Sequence, residues 1–438
     1  MQNSETMAAS APPPSWREKV AGFRAQPNTQ SRLLGGSLIM LTGSGLVSIL
    51  NFAYNVAVAR LLGPAEFGHA AVAITLLMMV SALTLSFQLV CAKLVARTQV
   101  AEAKAAVYQT LLRRAWKVGL ALGAVLMIAS GPVARYLNLP SAWMIAVLAL
   151  GFAFYVPVGA RRGGMQGRFC FRRLAFSYII EALLKFAGAL LLVEFGLGAL
   201  GAITAISLSV ICAYFLPVPP ELNATTASPV LPPTAEAVQA IVFFAGQVMI
   251  SNCDIVLVKH FFTPEVAGLY ATRALVGRLV YFASWMVVSA MFPISAGAKP
   301  EERGPSILAI PIALVVTISG GFVLLLSVFP HLVLSTVFGA SFAGGGLDGL
   351  LPLCAAMAGV YSLSVVLIAY EMSHRIANTA WIQLGAALAV VAGIFLFHAS
   401  LTEVVLVQLV IMAALLIAVA LIPILRRGHA RALLQEAA

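Results

Sequence analysis

Charge is scarce in this 438-residue chain: Asp, Glu, Lys and Arg make up 10% of it, while 61% is hydrophobic. Soluble domains carry about 25% charged residues, so water is excluded as the solvent for most of this surface. Cysteine is also scarce. The five present (Cys91, Cys170, Cys212, Cys253 and Cys354) are scattered, mostly in apolar segments, with no CxxC pair or Cys/His cluster. Neither a disulfide framework nor a structural zinc site is indicated. No GxxxxGK[ST] run occurs, so nucleotide hydrolysis has no visible site. No polar connection is long enough to fold as a separate soluble domain.

Long apolar runs are what the chain has in abundance, and its mean hydropathy is +0.98. A hydrocarbon core of roughly 30 Å takes about 20 apolar residues per spanning helix. Runs of that size predict an all-α polytopic membrane protein of about twelve helices. Their expected spans are 34–60, 68–92, 115–134, 141–160, 174–194, 197–217, 237–258, 270–293, 306–328, 345–370, 377–397 and 403–425. Residues 99–114 read as a short amphipathic helix on the inner surface. The polar stretch 1–30, with Pro12, Pro13 and Pro14, does not resemble a signal peptide. The first helix is therefore expected to serve as an uncleaved insertion signal.

Orientation follows from the placement of basic residues. Of the 27 Lys and Arg, Arg60, Arg135 and Lys259 fall on one side, and Lys185, Arg273 and Arg278 lie within helices. All the others occupy the two tails and the even-numbered connections, which predicts N-in, C-in topology. The formal net charge of +11 is thereby explained as topogenic, and no nucleic-acid partner is expected.

A short internal repeat implies the architecture. LLGPAEFGHAA (61–71) and FFTPEVAGLYA (261–271) align Pro64 and Gly68 with Pro264 and Gly268, after helices one and seven. Two six-helix lobes related by a pseudo-twofold along the membrane normal, around a central cavity, are expected. The organisation reads as a tail (1–32), a first lobe (33–217), a Pro-rich inner linker (218–236), a second lobe (237–426) and a tail (427–438). The linker is expected to be flexible.

The run ARLLGPAEFGHAAVAITLL (59–77) resembles the first-to-second-helix signature of bacterial polysaccharide transporters. These are the Wzx-type flippases within the superfamily of multidrug, oligosaccharidyl-lipid and polysaccharide exporters. Three further stretches agree in order: ARRGGMQGRFCFRRLAFSYIIEALLKFAG (160–188), NCDIVLVKHFFTPEVAGLYATRALVGRLVYF (252–282) and VLSTVFGASFAGG (333–345). The resemblance implies twelve or fourteen helices, alternating access by rocking of the lobes, and a polyprenyl-pyrophosphate-linked oligosaccharide as cargo. It places the protein in the bacterial inner membrane, among membrane lipids and polysaccharide polymerase machinery. No cofactor is expected beyond a coupling Na+ or H+.

Charged groups at membrane depth cost roughly 2.5–3.5 kcal/mol each and usually face a cavity or a partner. Arg273 and Arg278 are candidates for binding a diphosphate, which guanidinium groups hold in bidentate fashion; the plainer reading of Arg273 is snorkelling to headgroups. Asp254 is a candidate for ion coupling or for an ion pair with either arginine. Glu181 and Lys185, spaced i,i+4, are expected to neutralise each other, with a cavity role as the alternative. Asn51, Asn55, Gln88, Gln247 and Asn252 can bind sugar hydroxyls or bridge helices, as can Tyr54. Pro64–Gly68 and Pro264–Gly268 read as turns with Glu66 and Glu265 solvated. Gly35, Gly36, Gly43 and Gly45 read as close-packing positions. The basic stretch 161–173 can meet anionic lipid headgroups or a cargo diphosphate, or can be topogenic alone.

Three functions compete on these residues. A lipid-linked oligosaccharide flippase fits three basic and two acidic buried groups. A drug or cation exporter of the same fold calls for acidic cavity residues. A membrane glycan polymerase or ligase calls for a large outer loop or a carboxylate cluster, and the outer acids here (Glu66, Glu265, Asp348, Glu403) are isolated.

Overall fold

A computed structural model describes residues 29–98, 100–222, 234–297, 305–344, 346–374 and 379–436. Most of the N-terminal tail, the last two residues, the bulk of the Pro-rich linker, and Lys299, Arg303 and Arg375 lie outside the described residues, as does the packing around Gly35 and Gly36. The described residues are predominantly helical, without strands. That follows from the solvent: in hydrocarbon every backbone N–H and C=O must be satisfied within its own segment.

One helical run, Thr29–Arg97, breaks at Gly63, whose φ of 72° is open to glycine at little cost. Its arms, 29–62 and 64–97, are α1 and α2. There follow α3 (Ala101–Ile128), the short α4 (Ser130–Tyr136), α5 (Trp143–Gly167) and α6 (Phe171–Leu192). A wide turn at Val193–Leu197, with Gly196 at φ 82°, leads to α7 (Gly198–Phe215). The second half holds α8 (Thr234–Phe261), α9 (Pro264–Gly297), α10 (Pro305–Val328), the short α11 (Pro330–Val337), α12 (Leu350–His374), α13 (Thr379–Leu396) and α14 (Leu401–Glu436).

Eight described stretches are long and apolar enough to cross a membrane, or nine with the bent pair α3–α4. Two of them, Thr42–Arg97 and Phe171–Phe215, each contain two helices. With α9, whose arginines Arg273 and Arg278 raise its polarity, the chain has about twelve spanning helices in two lobes. The first lobe packs α3 on α5, α6 on α7, and the α1–α2 run on α5 and α6; the second packs α12 on α9, α10 and α14, and α13 on α8.

The amphipathic surface helix expected at 99–114 is not a separate element. It is the first half of α3, continuous with the span, because Tyr108, Leu111 and Leu112 are buried in the first lobe together with Cys91 and Val156. The break falls instead after Ile128, where α4 turns by 66°. The linker is docked at its start: Leu222 is buried in that cluster and its carbonyl accepts from Gln109 Nε2 at 3.0 Å.

A glycine stripe closes α5 onto α2. A Cβ at Gly159, Gly163 or Gly167 would strike the backbone of Thr84, Gln88 or Ala92 in turn. Spacing of four keeps the three on one face.

Candidate functional site

The second-lobe cluster is built on α8 and α9. Asp254 lies about two turns before the end of α8, and its side chain is 2% exposed. Arg278 Nη2 on α9 donates to Asp254 Oδ1 at 2.8 Å, and Tyr270 Oη donates to Oδ2 at 2.8 Å. Gln408 on α14 donates to Tyr270 Oη at 3.3 Å. Arg278 reaches Asn252 Oδ1 at 3.5 Å with Nη1. Both carboxylate oxygens are therefore occupied by protein donors. One helical turn further along, Gln247 donates to Tyr281 Oη, and Tyr281 stacks on Tyr361 at 5.6 Å between ring centroids.

Arg273 is absent from this cluster. It is fully buried and donates to the carbonyls of Leu269 (2.9 Å), Leu347 (3.1 Å) and Gly344 (3.2 Å). Buried and bonded in this way, it does not extend to headgroups; it fastens the irregular segment after α11. That segment has few internal backbone bonds, so its carbonyls need a donor at membrane depth.

The first-lobe cluster spans α1, α2, α5 and α6. The expected Glu181–Lys185 pair does not form. Glu181 Oε2 is taken by Arg162 Nη2 at 2.6 Å, and Arg162 also donates to Ser177 Oγ and Ser177 O, both at 3.2 Å. Its guanidinium lies 3.8 Å from the Tyr178 ring centroid. Arg162, expected on an inner connection, is instead in α5 and only 3% exposed. Tyr178 Oη donates to Gln88 Oε1 at 2.7 Å, and Gln88 Nε2 donates to Gln166 Oε1 at 3.0 Å.

Lys185 keeps Glu181 as an electrostatic neighbour, but its direct contacts are neutral. Its ammonium donates to Asn51 Oδ1 and stands 5.2 Å from the Tyr54 ring centroid, while Tyr54 Oη donates to Ala202 O at 3.2 Å. Asn55 Nδ2 donates to Asn51 O at 2.8 Å. Neutral dipoles and a ring face hold a cation without cancelling its charge.

The two copies of the repeat meet face to face. They are not turns: Pro64 and Pro264 each stand in the first turn of α2 and α9, where the missing N–H is harmless. A Cβ at Gly268 would overlap the Pro64 carbonyl, and one at Gly68 would overlap that of Pro264. Glu66 is not simply solvated, since it caps α7 by accepting from Ala199 N at 3.1 Å.

Around this crossing, each lobe grips the short helix of the other. Arg60, at the end of α1, donates to Val337 O at 2.8 Å and to Thr336 O, the last carbonyls of α11. Two hundred positions on, His260 Nδ1 lies 2.7 Å from Tyr136 O at the end of α4, and its ring stacks on Tyr136 at 3.8 Å. Lys259 Nζ donates to Asn138 O at 3.2 Å, and Asn138 Nδ2 returns a bond to His260 O at 3.1 Å. Phe52 and Phe67 meet Phe338 and Phe342 edge-on at 6.3 and 5.9 Å. The hairpin end is thus closed by a reciprocal clasp over an aromatic seal.

Sequence reasoning missed Tyr178, Tyr270, Gln408 and the clasp residue His260, and read Arg162 only as part of the basic stretch 161–173. The arginine–glutamate pairing has no local signal, because its partners lie 19 residues apart on different helices. The 200-residue repeat offset could have found Arg60 and His260 together. Among the described residues no group of three His, Cys, Asp or Glu is placed to hold a metal ion.

The helical two-lobe architecture is shared with solved transporters. An inward-facing multidrug resistance MATE family transporter of the MOP superfamily matches with a TM-score of 0.73 at 14% identity, over 92% of this chain and 99% of that one. An outward-facing MATE family transporter matches with a TM-score of 0.57 at 16% identity, over 94% and 98%. A MOP superfamily transporter from Pyrococcus furiosus, described by the reverse polarity of its binding pocket, gives 0.57 at 16% identity over 90% and 95%. No curated protein shows significant similarity to the chain.

The chain is therefore a multi-pass membrane protein with the fold seen in solved MOP superfamily transporters. The chain itself belongs to the polysaccharide biosynthesis protein family, whose profile matches residues 57–344, more than half its length.

Proposed function

We propose that the protein is a flippase that carries polyprenyl-pyrophosphate-linked oligosaccharide repeat units from the inner to the outer leaflet of a bacterial inner membrane. The observation that carries this reading is Lys185. A cation held at membrane depth by an amide oxygen and a ring face, with its i−4 carboxylate already paired to Arg162, suits an anionic cargo. An exporter of cations calls for the opposite sign.

In this reading Lys185 binds the diphosphate, with Asn51 and Asn55 orienting the first sugar. Arg278 joins once the cargo replaces Asp254 as its counter-ion, and protonation of Asp254 would favour the exchange. With both termini in the cytoplasm, as the basic residues predict, the clasp lies on the outer side. The state described is then inward-facing, in keeping with the higher TM-score to the inward-facing relative. Rocking of the lobes breaks the Arg60 and Lys259–His260 grips and opens the outer side.

The test is a deletion strain complemented with wild type, Lys185→Arg or Lys185→Ala. Surface polymer and inner-leaflet lipid-linked repeat units are measured in the same cells. Loss of one charge-assisted contact corresponds to roughly 10-fold or more, so Lys185→Ala should trap lipid-linked units while Lys185→Arg exports them. Unchanged polymer in the deletion strain, with new sensitivity to cationic drugs, would sink the proposal in favour of the exporter.

A further inference from the structure

Five arginines lie between 161 and 173, and three are occupied within the protein. Arg161 Nη2 donates to Leu216 O at 2.6 Å and its guanidinium sits 4.6 Å from the Tyr214 ring centroid. Arg162 pairs with Glu181, and Arg168 approaches Glu221 at 3.8 Å. Arg172 and Arg173 are exposed and have no hydrogen-bond or ion-pair partner among the described residues.

Those two head a definite surface. They stand four and three residues before Phe176 on α6, hence one turn away and on either side of it. Phe176 is exposed, and so are Leu183, Leu184 and Leu191 further along the same stripe, which is apolar as a lipid-facing surface must be. Two clefts flank Phe176. One, of about 190 Å³, runs from Arg173 to the Leu216–Pro217 segment at the end of α7. The other, of about 360 Å³, runs from Arg172 along α1 past Gly43 to Leu46. Gly43 permits it: a Cβ there would stand 3.0 Å from that of Ala175.

We propose that this end of α6 seats an anionic two-chain phospholipid, with its phosphate between Arg172 and Arg173 and one acyl chain in each cleft beside Phe176. Two cations converge on one headgroup, and two apolar clefts leave it on opposite sides of one ring. A polyprenyl carrier has a single chain, which would fill one cleft and leave the other empty. The assignment is independent of the flippase reading, since a lipid that steadies α6 serves any cargo. It accounts for two arginines that topology alone would accept anywhere on the inner connections.

The full-length protein is reconstituted in phosphatidylcholine vesicles containing a minor fraction of phosphatidylglycerol and released into native mass spectrometry. Wild type should retain phosphatidylglycerol over phosphatidylcholine by roughly 10-fold, as two charge-assisted contacts allow. Arg172→Gln/Arg173→Gln should lose that preference. Arg113→Gln/Arg114→Gln, which removes two exposed charges of α3 away from the clefts, should keep it. The single variants, each with a preference lowered by about 3-fold, carry the test should the double variant fail to fold. An unchanged preference in the Arg172 and Arg173 variants overturns the site. One-for-one displacement of phosphatidylglycerol by added undecaprenyl phosphate overturns the occupant, and gives the clefts to the cargo lipid.

Discussion

Tyr54 and Asp254 occupy equivalent positions in α1 and α8, 200 residues apart, and the two lobes use them to opposite effect. In the second lobe a carboxylate cancels the arginine beside it; in the first, an aromatic ring supports a lysine and leaves its charge intact. The lobes share a backbone plan, yet only one keeps a net cation at its polar centre. A duplicated fold can therefore hold a structural ion pair in one copy and a binding charge in the other. The same divergence recurs in the clasp, where exposed Arg60 corresponds through the repeat to His260 and its buried neighbour Lys259.

The comparison breaks most violently at Arg278. Arg278→Ala leaves Asp254 as a buried, unpaired carboxylate and should cost about 3–5 kcal/mol. Thermal unfolding of the purified protein reads this, and Arg278→Ala/Asp254→Asn should recover most of the loss. Equal stability of Arg278→Ala and wild type would show that the pair anchors nothing.

Gly268→Leu comes next. A side chain there drives into the Pro64 carbonyl, and overpacking costs about 1–3 kcal/mol. Because the strain exists only with the hairpin end closed, the variant should open it. Phe342→Cys, in a chain with its native cysteines replaced, should then react with a membrane-impermeant maleimide roughly 10-fold faster. No change in labelling would mean that the repeats do not close the seal.

The two clasps separate by burial. Lys259→Ala should cost about 1.5 kcal/mol and Arg60→Ala about 0.5 kcal/mol, as expected for buried and exposed hydrogen-bonded charges. The same maleimide assay ranks them, and a larger effect of Arg60→Ala would reverse the argument. Lys185→Ala should change stability least, by about 0.5 kcal/mol or less, since no carboxylate is orphaned. Its transport defect should nonetheless be the more severe. A Lys185→Ala protein as unstable as Arg278→Ala would make the lysine structural.

The repeat was legible because proline at a helix start and glycine at a crossing leave a fixed pattern in the residues. What the repeat does was not: Pro64–Gly68 reads locally as a turn, and only its contact with Pro264–Gly268 makes it a junction. Asp254 with Arg278 was readable as a possible pair, since α8 and α9 adjoin. Glu181 with Lys185 misled for the opposite reason. Spacing of four makes a pair possible, but Arg162, on α5, reaches Glu181 first and brings a bidentate-capable guanidinium that a lysine cannot match.

Composition and hydropathy determined that this chain is a bundle of about twelve membrane helices, because bilayer thickness and unsatisfied backbone groups leave no other all-helical solution. The repeat offset determined that there are two lobes. Tertiary structure alone decided which charges are spent and which are kept. Side chains far apart in sequence compete for the same few buried partners, and the winner depends on distances of a few ångströms that no residue pattern records.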